Sequence, residues 1–291
     1  MGLKSDPSIS VEAIIAERAS TVFGPDARPI SPAVRSVQNG RPILDNVAGA
    51  RLHEVLEQEG KLELATLRST GGVLACLHRE SAPTERASQS ETPPWGPLPH
   101  AVYACLSPPR RAVVARIHSN TPLRAAGRRL SAGAMNGKNW CHGDARLDNW
   151  CVRDGAPVLI DWERSGLARP ELDLAALLGS IVALVLQKAS TSTGDASEVR
   201  GAIETALKAS RSMLAAALNG YLAAGGARPD PWLLGGNVGN LLVCRAYTTS
   251  VVDPHDRTLA LLLDVGVGLI EHPMRWRALC PSGGEVYVHS N

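Results

Sequence analysis

Asp144, Asn149 and Asp161 are the residues whose types and spacing could do chemistry together. They fall within Cys141 to Leu178, CHGDARLDNWCVRDGAPVLIDWERSGLARPELDLAALL. Asp144 and Asn149 are five residues apart on a loop. The segments NWCVR and PVLIDW read as two short strands joined through Asp154-Gly155, a strong tight-hairpin signal. Asp161 ends the second strand, just past the apolar run VLI. A tight hairpin folds its ends together, so Asn149 and Asp161 are expected to be near neighbours. A carboxylate and an amide oxygen converging beside a second carboxylate make a hard-oxygen site, suited to Mg²⁺ carrying phosphates. Asp144 is then left to accept or orient a hydroxyl proton.

The elements around this loop divide the chain. Val11 to Ser20 reads as a short amphipathic helix, with Ser8 or Ser10 as its cap. Gly24 to Gly40 reads as a punctuated loop, Arg41 to Val47 as a short strand, and the chain beyond about Leu52 as helix. Leu64 to Arg79 reads as a second helix, weakened by Gly71-Gly72. Ser81 to His100 carries five prolines and reads as an exposed, flexible loop. After Glu163 everything reads as helical: Glu171 to Lys188, Glu198 to Ala224, Trp232 to Val251 and Thr258 to Glu271, with a flexible connector from Lys188 to Ser197. No internal repeat is visible.

Composition sets the outer bounds. Hydrophobic residues are 44% and charged ones 20%, which excludes a wholly disordered chain. The net charge of +2 gives no reason to expect nucleic acid or membrane as a partner. Aromatics are only 4%, so the core is expected to rest on Leu, Val, Ile and Ala. The six cysteines are scattered, without CxxC or zinc spacing, which fits small core residues in a reducing compartment. No secretory signal is visible, and Met1-Gly2 lacks the Ser or Thr of a myristoylation start. The run Leu174 to Leu186 is short for a bilayer and reads as a buried helix. A soluble cytoplasmic protein is expected.

The three acid and amide positions match phosphoryl transfer as protein kinases perform it, with a catalytic-loop Asp facing the nucleophile and an Asn and a later Asp holding the metal ions. His142-Gly143-Asp144 followed by Asn149 resembles the HGDxxxxN loop of the aminoglycoside phosphotransferase and choline kinase family. Asp161-Trp162-Glu163 resembles the family's metal-binding segment, and Pro170 with Asp173-Leu174-Ala175 its P-x-x-DLA segment. The resemblance implies that Asp144 is catalytic, that Asn149 and Asp161 hold Mg²⁺, and that Asp173 braces the catalytic loop. It implies that His142 packs and hydrogen-bonds rather than acting as a base. Arg146 stands where protein kinases place a lysine that touches the transferred phosphate, and its fixed fork of donors suits that work.

The resemblance is close from about residue 41 onward and loose before it. Arg41 to Leu52, RPILDNVAGARL, resembles the family's hinge, which implies that backbone groups of Asp45, Asn46 and Val47 meet adenine. Lys4 and Glu17 have the spacing of the Lys–Glu pair that holds nucleotide phosphates, or are a solvated terminal lysine and an exposed helix acid. No phosphate-covering glycine loop fits before Lys4; a partner protein that completes the front lobe, or a start site lying upstream, would account for that. GAMNGKN at Gly133 to Asn139 and GGNVGN at Gly235 to Asn240 read as turn or packing glycines rather than phosphate cradles. From Thr92 to Gly143 there is no Asp or Glu, while Arg110, Arg111, Arg116, Arg124, Arg128, Arg129 and Lys138 fall there. This is either a solvated basic helix face or an electropositive surface that recruits an acidic substrate or partner. The second reading weighs against a polycationic acceptor.

The expectation is therefore an α+β, protein-kinase-like, two-lobe fold. An abbreviated N-terminal β lobe with its hinge strand would occupy residues 1–48 and a large helical C-terminal lobe residues 49–291. The expected activity is ATP- and Mg²⁺-dependent transfer of the γ-phosphoryl group to a small-molecule hydroxyl, such as an antibiotic, an amino alcohol or a sugar. Two alternatives stand beside it: a kinase of peptide Ser or Thr working with a partner lyase, and a pseudokinase that binds nucleotide without turnover.

Overall fold

The structure is a computed structural model and describes residues 10–39, 41–45, 49–83, 94–191, 195–248 and 257–280. Lys4, Asn46 and Val47 lie outside the described residues. The front of the chain is small. Helix α1 (Val11–Ala19) starts at Ser10, whose side chain accepts from the Ala13 amide. Strands β1 (Val34–Gln38) and β2 (Arg41–Leu44) pair antiparallel, with an irregular register between Val34 and Ser36. Strand β1 falls within the stretch expected to be loop. Asn39-Gly40, a favoured hairpin dipeptide, follows it, and Asn39 takes a positive φ of 50°.

The rest is helical around one more hairpin. Helices α2 (Leu52–Glu59) and α3 (Leu64–Arg79) follow the hinge segment, then α4 (His100–Ala104), α5 (Pro108–Ser119) and α6 (Thr121–Met135). Next come β3 (Asn139–Cys141), β4 (Trp150–Arg153), β5 (Ala156–Leu159) and β6 (Gly166–Ala168). Strand β3 pairs with β6 and β4 with β5, both antiparallel. The β4–β5 turn is Asp154-Gly155, both at positive φ, as the sequence requires. Helices α7 (Glu171–Ser190), α8 (Ala196–Ala223), α9 (Pro231–Thr248), α10 (Arg257–Glu271) and the short α11 (Trp276–Leu279) complete the lobe.

Helix α7 is the axis. Its 20 residues are long and apolar enough to cross a bilayer on those criteria alone, beyond the 13-residue run that the sequence suggested. Here they are largely buried, with α8, α9 and α10 packed around them. Gly71, a weak point for α3 on propensity, is where the backbone of α8 comes closest: a Cβ there would lie 1.9 Å from the Ala217 carbonyl oxygen.

Two expectations about the core are corrected. Five of the six tryptophans (Trp95, Trp140, Trp150, Trp162 and Trp276) are no more than 2% exposed, so the core does not rest on aliphatic residues alone. Three of these indoles find partners that make burial affordable: Trp140 donates to Ser165, Trp150 to the Ala145 carbonyl and Trp162 to Ser31. The 81–100 stretch is not uniformly an exposed loop. Trp95 is buried against Gly127, and its carbonyl accepts from Arg124.

The front lobe is tied to the β4–β5 hairpin by backbone. The Leu159 amide donates to Ile30, the Val152 amide donates to Ala50, and the Arg28 guanidinium reaches the Asp154 carbonyl. The hinge glycine permits this approach, since a Cβ on Gly49 would lie 1.8 Å from the Val152 carbonyl oxygen. Gly49→Ala should therefore lower stability by about 2 kcal/mol through overpacking. Urea unfolding reads this directly, and an unchanged midpoint would show that the hinge does not rest on the hairpin.

Candidate active site

The loop between β3 and β4 is shaped by hydrogen bonds at each residue. Asp173, at the start of α7, is fully buried. Its carboxylate accepts from the His142 amide at 2.7 Å, the Gly143 amide at 2.8 Å and His78 Nε2 at 3.0 Å. Burial alone would raise its pKa, but the His78 hydrogen bond, the nearby His78 and His142 rings and the His142 amide outweigh it and hold the carboxyl below its ordinary value. On its far side His78 Nδ1 meets the Tyr221 hydroxyl at 3.2 Å. Burial pushes that hydroxyl well up, so Tyr221 stays a neutral donor. Three helices, α3, α7 and α8, thus converge on the loop through one carboxylate.

Gly143 turns the chain with a φ of +83°, and a Cβ there would lie 2.1 Å from the Arg164 carbonyl oxygen. His142 is fully buried, its ring 4.6 Å from that of Trp162. Its Nδ1 accepts from the Asp144 amide at 3.3 Å and its Nε2 donates to the Ile160 carbonyl at 3.0 Å. With both ring nitrogens used in this way, His142 links the loop to the strand end that carries Asp161.

Asn149 is 5% exposed and donates from Nδ2 to the Asp144 carbonyl at 2.8 Å. Its own carbonyl accepts from the Ile160 amide at 3.1 Å, which brings it beside the residue that precedes Asp161. Asp161 is solvent-exposed and has a left-handed backbone, φ 67° and ψ 68°. Asn149 and Asp161 therefore come together as the hairpin requires. The donor set fits a hard divalent cation: with Nδ2 committed, the Asn149 side chain keeps its oxygen to offer, and Asp161 offers a carboxylate. The electrostatics agree. Burial, then the negative charges of Asp161 and Glu163, push the Glu12 carboxyl up against the pull of Arg41. Carboxylates that repel one another in this way are relieved by a bound cation.

Asp144 is held by an arginine. Its carboxylate accepts from Arg146 Nε at 2.6 Å and Nη2 at 2.9 Å. Burial would lower the Arg146 pKa, but the Asp144 hydrogen bond and the charges of Asp144, Asp148 and Asp161 raise it overall. Gly143, Asp144 and Arg146 line a cavity of about 530 Å³, whose walls come largely from α6, α7 and α9.

The front-lobe residues are less concentrated. Asp45 anchors the strand end by donating its amide to the Ala33 carbonyl at 2.8 Å. Glu17 accepts from Ser20 through its carbonyl. The α1 residue that shares the field of Asp161 is Glu12, five positions earlier and about 140° round the helix. Sequence reasoning missed Glu12, and also Asp148, Arg164, Asn237, Asn240 and Arg245. Asp148 pairs with Arg245 of α9 at 3.0 Å, across 97 residues. Only proximity to Asn149 could have pointed to Asp148, and nothing in the sequence pointed to Arg245.

A short β hairpin and helix in front, a catalytic loop, a metal-type hairpin and a large helical lobe define a kinase-type phosphotransferase. A family model described as the phosphotransferase enzyme family (APH) matches residues 25–214. The chain belongs to that family and is a phosphotransferase with an alcohol group as acceptor. No curated protein matches it. Among solved structures it is similar to a choline/ethanolamine kinase family protein from Mesorhizobium loti, with 18% identity, 92% of this chain and 80% of that chain covered, and a TM-score of 0.48. A glucosamine kinase is similar over 82% of this chain and 66% of its own, at 16% identity and a TM-score of 0.44. An amicoumacin kinase is similar over 94% and 78%, at 13% identity and a TM-score of 0.44.

The bracing role of Asp173 gives a test with a definite sign. A carboxyl whose folded pKa is depressed contributes stability above its unfolded pKa and loses it as pH falls through the folded one. Asp173→Asn should cost about 3 kcal/mol near neutral pH, since it removes a buried carboxylate that three donors satisfy. The gap to the wild type should close as the solution is acidified below the ordinary Asp range. Thermal unfolding of both proteins across a pH series reads this, and a gap that stays constant to low pH would count against a charged Asp173.

Proposed function

We propose that the protein transfers the γ-phosphoryl group of ATP to a hydroxyl on a small molecule, with Mg²⁺ as the metal. The observation that carries this reading is the position of Asp144. Its carboxylate lines the cavity, while its carbonyl is bonded to Asn149, whose own carbonyl is bonded to the residue preceding Asp161. One residue thus joins a space for an acceptor to a pair of metal-type ligands.

Asn149 and Asp161 would hold Mg²⁺. Bound there, the ion would neutralise phosphate charge. Asp144 orients the acceptor hydroxyl and takes its proton, and the Arg146 fork fixes the carboxylate in place. A carboxylate has about four lone-pair sites, so the two bonds to Arg146 leave room for a hydroxyl. Arg146 remains charged and close to where the transferring group would pass, where positive charge stabilises it. Glu12, from its place in the field of Asp161, is better placed than Glu17 to act on the metal side. Adenine would meet the hinge near Asp45. The intact Asp144, Asn149 and Asp161 favour turnover over a pseudokinase. The cavity's volume of about 530 Å³ is of the size that small ligands fill, which favours a small acceptor over a peptide.

Asp144→Ala should lower turnover by about 10³-fold with the fold retained, as loss of a positioned acid–base group does. Asp161→Ala should remove metal-dependent ATP binding in calorimetry. Unchanged turnover in the first variant would overturn the role of Asp144, and unchanged binding in the second would overturn that of Asp161.

A further inference from the structure

Asp148 stands between two arginines. Its Oδ2 accepts from Arg245 Nη1 at 3.0 Å and its Oδ1 from Arg245 Nη2 at 3.4 Å. Arg146 Nη1 lies 3.6 Å from the same Oδ2. The other two nitrogens of the Arg146 guanidinium, Nε and Nη2, are bonded to Asp144. Four side chains of alternating charge therefore run in order: Asp144, Arg146, Asp148, Arg245. All four are less than one-third exposed, so their pairing is less weakened by water than that of ion pairs on an open surface. Asp144, Arg146 and Arg245 line the cavity, and Asp148 joins the two arginines without lining it.

Helix α2 reaches the same residue. His53 Nδ1 lies 3.6 Å from Asp148 Oδ1, and Arg51, at the start of that helix, donates from Nη1 to the Asp148 carbonyl at 3.5 Å. Asp148 thus gathers α2, the catalytic loop and α9. Its chain neighbours have anchors of their own. The Leu147 amide donates to Ser180, and Asn149 is held through its amide, its Nδ2 and its carbonyl by Arg146, Asp144 and Ile160. The side chain at 148 is therefore separable from what holds the metal-type ligand beside it.

Resting on the phosphotransferase reading, we infer that Asp148 is a positioning residue. It holds Arg146 in the orientation that fixes the Asp144 carboxylate, and it ties that orientation to Arg245 of α9. Asp144 and Arg146 both stand on rotatable stems, so a bond between them alone lets the two swing together. A second carboxylate on the free edge of the guanidinium pins the pair to the frame of the helical lobe. The work is done on Asp144 through Arg146, and nucleotide binding is left to other residues.

Water is an acceptor hydroxyl that needs no identification, so phosphate release from ATP and Mg²⁺ by the full chain reads the transfer. In that step the water oxygen bonds to the γ-phosphorus, the bond from that phosphorus to the bridging oxygen breaks, ADP leaves, and Asp144 takes the proton. Asp148→Asn should lower kcat about tenfold or more, as misplacement of a reacting group does, and leave the KM for ATP unchanged. In an Arg146→Met background the same substitution should have little further effect, because the two residues act in series. An unchanged kcat in Asp148→Asn overturns the inference. So does an equal loss in both backgrounds, which is what a merely structural role gives, and so does a wild type that binds ATP with Mg²⁺ in calorimetry but hydrolyses none. Thermal unfolding is read separately. Asp148→Asn and Arg245→Gln together should shift the midpoint by less than the sum of their single shifts, and additive shifts overturn the tie to α9. A wild type that binds no ATP removes the phosphotransferase reading, while less-than-additive unfolding shifts would still leave the ion-pair chain standing. Hydrolysis that Asp148→Asn leaves untouched does the reverse.

Discussion

The active loop depends on one buried negative charge. An ionised carboxylate taken fully out of water is costly unless paired and hydrogen-bonded. Asp173 meets that condition with two backbone amides and a histidine ring. The amides belong to His142 and Gly143, so the groups that satisfy the charge also set the path of the chain into Asp144. The histidine belongs to α3 and is backed by Tyr221 of α8. The catalytic loop is therefore positioned by the packing of three helices, and a shift of any of them would strand the charge. Cys141 lies close to His78 and Asp173, but burial and the Asp173 charge push its thiol well up, so it behaves as a neutral packing group rather than a ligand or nucleophile.

The tryptophans perform the same function around the loop's outer edge. Trp140, Trp150 and Trp162 bury large rings and spend their N–H groups on Ser165, Ala145 and Ser31. The Leu147 amide is held by Ser180 of α7. A loop fixed at 142, 143, 145 and 147 presents Asp144 and Arg146, beside Gly143, to the cavity.

The parts of this arrangement encoded by contiguous residues were legible in the sequence. HGDxxxxN, the Asp154-Gly155 hairpin and the apolar strand before Asp161 specified the catalytic loop, and the long apolar periodicities placed α3 and α7 to α10 to within a few residues. What the sequence did not disclose came from contacts distant along the chain. The role of Trp95 depends on Gly127, and that of His78 on Asp173, 95 residues away. Gly71 and Gly49 look like breaks when read locally, and only their close neighbours Ala217 and Val152 show why nothing larger fits. Strand β1 was hidden by punctuating residues, although Asn39-Gly40 announced its hairpin.

Charge organises the site as much as geometry does. Asp161, Glu163 and Glu12 form a negative field, in which Glu12 resists ionisation. A divalent cation carrying phosphates suits such a field. Arg146 is bonded to Asp144 and lies within the field of both Asp148 and Asp161, which raise its pKa above the ordinary value against the cost of burial. A fixed positive charge two residues beyond Asp144 would offset the negative charge of a transferring phosphoryl group, which a neutral side chain at that position could not do.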